Sequence, residues 1–503
     1  MLEPSQNVLP QGLIQSLKGL TGFDEAAFVK VHSFGATDVH SIRLNPVKPC
    51  INLEQRLADS LHANGVVPPP RITMQSIPWE SQGYYLNERP FYTFDPLFHA
   101  GSYYVQEASS MFLGWALKQL IDSNASIRAL DLCAAPGGKT TLLQSYLNNQ
   151  SVLVANEVIK SRAAILQENI TKWGAENVVV TNNDPQHFKK MEGYFDLIVV
   201  DAPCSGSGLF RRDPDAIKEW SEDAVQLCSQ RQQRILSDIL PSLKENGCLI
   251  YSTCSYSKEE DEAICDWLLE EMNCENVPLE VPSNWGVVTT ESGKGAIGYR
   301  FWPDKVQGEG LFLACFRCKQ PNFFTEGKKK KPTIGLSKQE IALVQNWVKD
   351  AGEYEYQKTE DLILAMTPTV AAVVEELKSG GLYIKQAGIA VGKSTGKEII
   401  PDPALALSGL NSEHTVVVTL KHRQALQYLS REDMTDFWHD FEVQMACDGD
   451  EMQTQTKKQA LKAKKGWALV AYKGRNLGWV KLLSNRLNNY YPKEWRILKK
   501  PVF

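Results

Sequence analysis

Short apolar runs alternate with longer amphipathic stretches through the middle of the chain. Apolar runs that resemble buried strands lie at 129–132, 152–155, 177–180, 195–201 and 247–252. Helical periodicity is found between several of them, at 140–147, 161–173 and 224–243. Continuous apolar runs that alternate with helices are typical of parallel strands covered on both faces. The pattern therefore predicts an α/β fold with a doubly wound, Rossmann-like sheet, which an edge strand at 311–316 is expected to close.

The regions on either side of this sheet follow other patterns. The first hundred residues mix a helical start at 13–20 with short strand-like pieces such as 41–44, which predicts a small α+β cap. After the sheet comes a basic, linker-like run at 328–332. The last hundred residues carry strand signals at 415–420 and 466–472, which predict a β-rich module. We expect four units, with bounds at 1–105, 106–320, 321–395 and 396–503.

Composition narrows the class of protein. The chain has 503 residues, 43% hydrophobic and 22% charged, which is ordinary globular usage and excludes a mostly disordered or fibrous protein. Its 11 cysteines follow no disulfide framework, so we expect reduced thiols and a cytoplasmic location. No stretch reaches the ~18 apolar residues of a spanning helix, and the first residues lack a signal-peptide pattern. We expect no membrane contact, and nothing in the sequence requires more than a monomer.

Charge is distributed unevenly along the chain. The net charge is −5, yet residues 451–503 carry 13 Lys and Arg against 2 Asp and Glu. Apolar residues such as Trp467, Tyr472 and Trp479 are interleaved there, which favours a folded basic module over a solvated tail. An acidic body with a basic, aromatic-rich end is a plausible electrostatic signature of RNA binding.

The turn after the first predicted strand is a candidate cofactor loop. Cys133 stands where a phosphate-binding P-loop needs glycine, and no G-x-G-x-x-G dinucleotide pattern is present. Small residues nevertheless let a backbone approach a ligand, and Asp131 at the strand end supplies an anionic acceptor. The candidate cofactor-binding residues of this turn are Cys133, Ala134, Ala135, Pro136, Gly137, Gly138 and Lys139.

Acidic residues also follow the next two predicted strands. Glu157 suits the hydroxyls of a ribose, and Asp184 can accept a hydrogen bond from an adenine amino group. Either residue alone could be a solvated loop residue or a helix cap. Together with Asp131, they predict a site for a cationic nucleoside, and S-adenosylmethionine (SAM) has that chemistry.

Two cysteines follow the fourth and fifth predicted strands, at the edge where doubly wound sheets bind ligands. Cytosolic cysteines are usually buried small hydrophobes, but Cys204 and Cys254 lie past the apolar residues of their strands. A thiolate that adds to C6 of an unstacked cytosine makes C5 nucleophilic, and a base must later remove the C5 proton. Cys315 and Cys318 lack a second ligand pair, so no metal is predicted.

Four motifs together resemble the NOL/NOP/Sun group of RNA cytosine-C5 methyltransferases. They are YVQEASSM at 104–111, DLCAAPGGKT at 131–140, DAPCSG at 201–206 and STCS at 252–255. The resemblance covers residues 40–318 and implies that Cys254 is the nucleophile and that Cys204 assists product release. It also places Asp201 and Lys139 nearest the target cytosine. The implied SAM site is lined by residues 133–139, Glu157, Asp184 and Asp201.

Both ends of the chain add to this resemblance. Arg43 and Asn45 look like an N-terminal element that contacts RNA, and residues 415–429 are similar to PUA-like RNA-binding domains. The ending, at 478–481 and 485–492, looks like that of bacterial members of the group. It implies methylation of one cytosine in the decoding-site helix of 16S rRNA, within the assembled small subunit.

Two alternatives stay open at this point. A tRNA-directed relative would use the same chemistry, although the C-terminal signature disfavours it. A non-catalytic RNA-binding assembly factor could keep the fold, but it would not need both Cys204 and Cys254.

Overall fold

A computed structural model describes residues 9–33, 38–319, 335–434, 442–444, 465–483 and 486–502. Three features of the sequence analysis lie outside these residues: the run at 328–332, the basic residues 451–464 and Asn485. The described chain forms four sheets, of which the central one has ten strands within the described residues.

The N-terminal unit combines short helices with a four-stranded sheet of order β2-β3-β1-β4. Strand β1 forms where the alternating 41–44 stretch predicted a strand. The elements are α1 (Gln11–Leu17), α2 (Glu25–Val31), β1 (His40–Leu44), α3 (Leu53–Ala63), β2 (Met74–Ile77), β3 (Glu80–Leu86), α4 (Pro96–His99) and β4 (Tyr103–Val105).

The central sheet confirms the predicted Rossmann-like fold. Its order is β11-β12-β13-β9-β8-β5-β6-β7-β16, with β10 paired to β13, and β5 to β9 run parallel within it. Strands such as β6 are buried at every position, as their continuous apolar sequence requires. The elements are α5 (Phe112–Leu120), β5 (Arg128–Asp131), α6 (Gly138–Tyr146), β6 (Val152–Asn156), α7 (Lys160–Trp173), β7 (Val178–Thr181), β8 (Phe195–Asp201), α8 (Ala216–Glu219), α9 (Glu222–Ile239), β9 (Leu243–Thr253), α10 (Glu262–Glu270), β10 (Cys274–Asn276), β11 (Val288–Glu291), β12 (Ile297–Phe301) and β13 (Leu311–Cys318).

The expectation that 311–316 forms an edge strand is wrong. Strand β13 lies between β9 and β12, and β11 continues the sheet beyond β12. Strand β12 was not predicted from the sequence, because Gly298 and Arg300 interrupt its apolar pattern. Gly298 leaves room for the ring of Phe312, which a β-carbon would meet at 2.5 Å. Arg300 is buried against the carboxylates of Asp261 and Glu262, so a charge is accommodated inside the sheet layer.

The next region contributes directly to the central sheet. Strand β16 pairs antiparallel with β7, and α12 packs its apolar residues onto the core of the sheet. The remaining strands form a small sheet of order β14-β15-β17-β18. The elements are α11 (Lys338–Gln345), β14 (Glu355–Thr359), β15 (Leu362–Met366), α12 (Pro368–Ser379), β16 (Ile384–Ala387), β17 (Ile389–Ser394), β18 (Ile399–Pro401) and α13 (Pro403–Leu407).

The C-terminal module shares its core with the N-terminal unit. Leu57 and Tyr103 of the N-terminal unit belong to the same apolar cluster as Leu426 and Val480. Near the C-terminus, the Val502 N–H donates to the carbonyl of Ala63 at 2.8 Å. The two ends of the chain therefore pack as one body. The elements are β19 (Val417–Thr419), α14 (His422–Ser430), β20 (Glu442–Gln444), β21 (Gly466–Tyr472), β22 (Arg475–Leu482) and β23 (Leu487–Asn489).

Candidate active site

The two cysteines singled out from the sequence meet at the carboxyl edge of the central sheet. Strands β8 and β9 are parallel neighbours, and their ends are in register, with Asp201 opposite Ser252. Cys204 and Cys254 follow these ends directly, which brings their Sγ atoms to 3.0 Å. Both cysteine residues are partly exposed. The two cysteines are therefore close to each other and accessible from solvent.

An ion pair lies beside the thiols. The ammonium of Lys139, from the start of α6, is 2.8 Å from Oδ2 of Asp201, whose Oδ1 accepts a hydrogen bond from the Ser252 hydroxyl at 2.8 Å. Burial lowers the pKa of Lys139, but Asp201 and Cys254 offset this, so that the pKa of Lys139 is raised. Lys139 is thus a permanent cation next to the cysteines, a setting that favours thiolate over thiol chemistry.

A hydrogen bond of 3.0 Å joins the two thiols. That bond and burial raise the pKa of Cys204 well above its ordinary value. Either sulfur can be the donor in this bond, and when Cys204 donates, its proton lies towards the Sγ of Cys254. A thiol that donates in this way stabilises negative charge on its partner.

The predicted cofactor loop lies at the neighbouring strand end and is held tightly. Gly137 has a φ of +118°, which an L-side chain rarely adopts, and it turns the chain into α6. Arg162 donates to the carbonyl of Ala135 at 2.7 Å, and Asn169 donates to that of Pro136 at 2.8 Å. The sequence analysis did not predict a role for these two α7 residues. Their position in a helix near the loop is the only feature of the sequence that could have indicated one.

Two of the three predicted acids have an oxygen without a hydrogen-bond partner among the described residues. Asp131 has no exposed surface; its Oδ2 accepts from Thr140, whereas its Oδ1 is unpaired. Glu157, 2% exposed, accepts from the Ile159 N–H through Oε1, whereas Oε2 accepts no hydrogen bond among the described residues and forms an ion pair with Arg162 at 3.6 Å. Buried oxygens without a hydrogen bond fit a ligand rich in hydrogen-bond donors, as SAM is.

The third acid and the first loop residue are placed differently. Asp184 follows β7 and caps a short 3-10 helix, because it accepts a hydrogen bond from the Gln186 N–H at 3.1 Å. One of its oxygens therefore has the helix-cap role that the sequence analysis named as an alternative. Its side chain stays partly exposed at the same sheet edge. Cys133 is also partly exposed, and burial beside Asp131 raises the pKa of its thiol.

Arg43 and Asn45, which resemble part of an element that contacts RNA, both have buried side chains. Arg43 donates to Gln106 at 2.8 Å and to Thr141 at 2.6 Å, and it lies over the Trp173 ring. Asn45 donates to two backbone carbonyls. These residues fasten the N-terminal sheet to α6 and α7, and only the tertiary packing reveals that they are covered.

Glu260 is a further residue that the sequence analysis missed. It has no exposed surface and contacts both loops that carry the cysteines. The available signal was its place in four consecutive acids, 259–262, shortly after Cys254. Such a run is usually solvated, whereas Glu260 is enclosed.

The other two-cysteine motif has a different environment. Cys318 lies 2.7 Å from Cys274, Sγ to Sγ, and Cys315 is buried in β13. Within the described ranges, no group of three or more His, Cys, Asp and Glu side chains could hold a metal ion. In the same ranges, no helix is long and apolar enough to cross a membrane.

Comparison with known proteins identifies the family. Models described as 16S rRNA methyltransferase RsmB/F, N-terminal domain of 16S rRNA methyltransferase RsmF, and methyltransferase RsmF PUA domain match residues 119–317, 9–108 and 415–497. The ribosomal RNA small subunit methyltransferase F of Psychromonas ingrahamii is 30% identical over 97% of this chain and 98% of its own. That of Shigella dysenteriae is 30% identical, over 90% and 89%.

Solved structures agree with the fold. The crystal structure of PH0851 is 26% identical, covers 62% of this chain and 66% of its own, and has a TM-score of 0.53. The cysteine-bearing sheet edge thus lies in a methyltransferase fold flanked by both accessory domains. The chain belongs to the 16S rRNA methyltransferase family RsmB/F and carries the N-terminal and PUA domains of its RsmF members.

Proposed function

We propose that this enzyme transfers a methyl group from SAM to C5 of one cytosine in the decoding-site helix of 16S rRNA, within the assembled small subunit. The names of the relatives support ribosomal RNA as the substrate class. The observation that carries the chemistry is the 3.0 Å separation of Cys204 and Cys254 beside the Lys139–Asp201 ion pair.

The SAM site is proposed at the loop 133–139, with Glu157, Asp184 and Asp201 around it. When bound, SAM supplies a methyl group on a positively charged sulfur. Oδ1 of Asp131 and Oε2 of Glu157 accept no hydrogen bond among the described residues, which suits them to its donors. Arg162 and Asn169 hold the loop carbonyls in place, so that the turn need not rearrange to accept a ligand.

Cys254 is the proposed nucleophile. Its thiolate forms a bond to C6 of the cytosine, and the electron pair of the C5–C6 double bond becomes available at C5. The Cys204 thiol lies 3.0 Å from this sulfur, and the charge of Lys139 interacts with it electrostatically. The target base must leave its stack to present C6, which costs a few kcal/mol.

Cys204 is the proposed base for product release. The bond to Cys254 is the largest cause of its raised pKa, and this cause disappears once the Sγ of Cys254 is bonded to C6. Cys204 can then release its proton to water and, as a thiolate, take the proton from C5. The electron pair of the C5–H bond restores the double bond, and the C6–S bond breaks to release Cys254.

Asp201 and Lys139 are proposed to hold the base. Asp201 is anchored by Ser252 and Lys139, so its carboxylate is fixed before the cytosine arrives. A fixed carboxylate can accept a hydrogen bond from the cytosine amino group, and this contact distinguishes cytosine from uracil. The N-terminal unit and the PUA module, which share a core, are proposed to grip the surrounding RNA.

Bisulfite sequencing tests this proposal. RNA from a strain that lacks the gene is compared with RNA from strains that carry the wild-type gene or Cys254→Ala. Loss of one 5-methylcytosine in the decoding-site helix, restored only by the wild type, is expected. Restoration by Cys254→Ala would contradict the mechanism, and loss at a tRNA position instead would move the substrate to tRNA. Methylation of purified small subunits but not of naked 16S rRNA is expected in vitro.

A further inference from the structure

A single buried carboxylate connects the two loops that carry the catalytic thiols. Glu260 lies at the start of the segment that leads into α10, and it has no exposed surface. Ser205 and Ser255, which directly follow Cys204 and Cys254, both contact it. The connection is therefore made one residue away from each sulfur.

The hydrogen bonds of Glu260 are complete. Oε1 accepts from the Ser205 N–H at 2.8 Å and from Gln232 at 3.1 Å. Oε2 accepts from the hydroxyls of Ser205 at 2.5 Å and Ser255 at 2.6 Å. Gln232 also donates to the carbonyl of Pro203 at 3.1 Å, so the loop is held on both sides of Cys204.

These four donors offset part of the cost of enclosing a charge. Burial raises the pKa of Glu260 and the hydrogen bonds from Ser205, Ser255 and Gln232 lower it, but burial is the larger effect and the pKa stays raised. A carboxylate that accepts from two loops at once has a stricter geometry than a neutral group, because each charged hydrogen bond is short and directional. A purely packing role would not require donors from both loops.

We infer that Glu260 is a positioning residue for the two-thiol reaction, which sets the distance between Cys204 and Cys254 by holding Ser205 and Ser255 on one carboxylate. The inference rests on the proposed function, because it assigns Glu260 to the same cysteine pair. Among the described residues, no hydrogen bond joins Glu260 to either sulfur, so its hydrogen bonds act through the residues that follow them.

Two substitutions of Glu260 separate the effect of side-chain length from the effect of charge. Glu260→Asp keeps the charge but is too short to reach both serines. Glu260→Gln keeps the length, and its amide can still bond the Ser205 N–H and both hydroxyls. We therefore expect Glu260→Gln to retain more activity than Glu260→Asp, the reverse of what a simple charge requirement gives.

The first measurement is steady-state kinetics of the full chain on small ribosomal subunits. Since misplacing a reacting group by about 1 Å can cost on the order of 100-fold, kcat of Glu260→Asp should fall by about that factor while KM for SAM and RNA changes little. Glu259→Asp is the matched control, because this neighbour is only partly buried and lines a surface cavity with Trp220 and Glu222. Its kcat should equal that of the wild type.

The second measurement needs no activity. Diamide, which takes up two electrons and two protons from a thiol pair, should join Cys204 to Cys254 rapidly in the wild type, as peptide mapping would detect. The rate should fall at least tenfold in Glu260→Asp and stay unchanged in Glu259→Asp. The Cys274–Cys318 pair in the same molecule reports any general loss of structure.

The outcomes distinguish the inference from the proposed function. A Glu260→Asp variant with wild-type kcat and wild-type cross-linking of Cys204 to Cys254 would overturn the positioning role. Equal slowing at both thiol pairs would also overturn it, because it would indicate a global effect. Full activity of Cys254→Ala would instead remove the proposed mechanism and leave the cross-linking result intact.

Discussion

Two pairs of cysteines in this protein are equally close, yet their surroundings give them different chemistry. Cys204 and Cys254 lie 3.0 Å apart, and Cys274 and Cys318 lie 2.7 Å apart. In each pair, the contact with the partner and burial raise the pKa of one thiol, Cys204 or Cys318. Distance and mutual hydrogen bonding therefore do not identify the reactive pair.

The difference lies in position and neighbours. Cys274 and Cys318 are opposite each other within an antiparallel ladder, at 7% and 2% exposure, in an apolar cluster with Leu268. Cys204 and Cys254 instead follow two parallel strand ends and are partly exposed, and Cys254 interacts electrostatically with Lys139 of the Lys139–Asp201 ion pair. A thiol pair becomes a candidate catalytic site when a substrate can reach it and a cation can stabilise its charge.

Removal of the proposed nucleophile should have the largest effect. Cys254→Ala leaves no atom to attack C6, so methyl transfer to 16S rRNA should fall by at least about 10³-fold. SAM binding, measured by calorimetry, should stay close to that of the wild type because the 133–139 loop is untouched. Cys318→Ala is the matched control and should methylate normally. Residual methylation in Cys254→Ala above a few per cent would refute the assignment.

Removal of the proposed base should stop the reaction one step later. Cys204→Ala still permits attack by Cys254, but loss of the C5 proton is slowed. A protein–RNA adduct that survives a denaturing gel should accumulate, and turnover should fall by about 10²- to 10⁴-fold, the usual contribution of a positioned base. Absence of the adduct, with methylated RNA released at the normal rate, would assign the base role to another group.

The cofactor loop should respond to pH through Asp131. Burial raises the pKa of this carboxyl to about 7, so it is mostly neutral at pH 6 and mostly ionised at pH 8. SAM is cationic and favours the ionised form, so its affinity should rise about tenfold from pH 6 to pH 8. Calorimetry of the wild type and of Asp131→Asn checks this, because the variant reports what other groups contribute. Equal slopes in both proteins would contradict it.

The structural pair should give the smallest effect on function. Cys274→Ala removes a buried side chain from the apolar core, and the loss of stability should be about 1–2 kcal/mol. Thermal unfolding would detect this, whereas kcat per folded molecule should equal that of the wild type. A change in kcat without a change in stability would show that this pair is coupled to the active site, and the contrast between the two pairs would then fail.

Much of the catalytic half could be predicted from the sequence, because local patterns determine it. Continuous apolar runs indicated the parallel strands, and polar residues after the runs indicated the sheet edge, since parallel strands end together. Cys204 and Cys254 could be paired for that reason alone, without knowledge of any contact. The functional roles of these residues stay predictions until the variants are measured.

Tertiary structure decided what depends on residues far apart in the chain. The sequence alone indicated the Rossmann-like sheet, the cofactor loop and the two cysteines at its edge. Only the folded chain showed that Arg43 is covered by α6 and that β16 completes the sheet. Only the folded chain also showed that Glu260 faces both thiol loops. Hydrophobic periodicity reports whether a residue faces a core, but it does not report which distant segment supplies that core or which donors meet a buried charge.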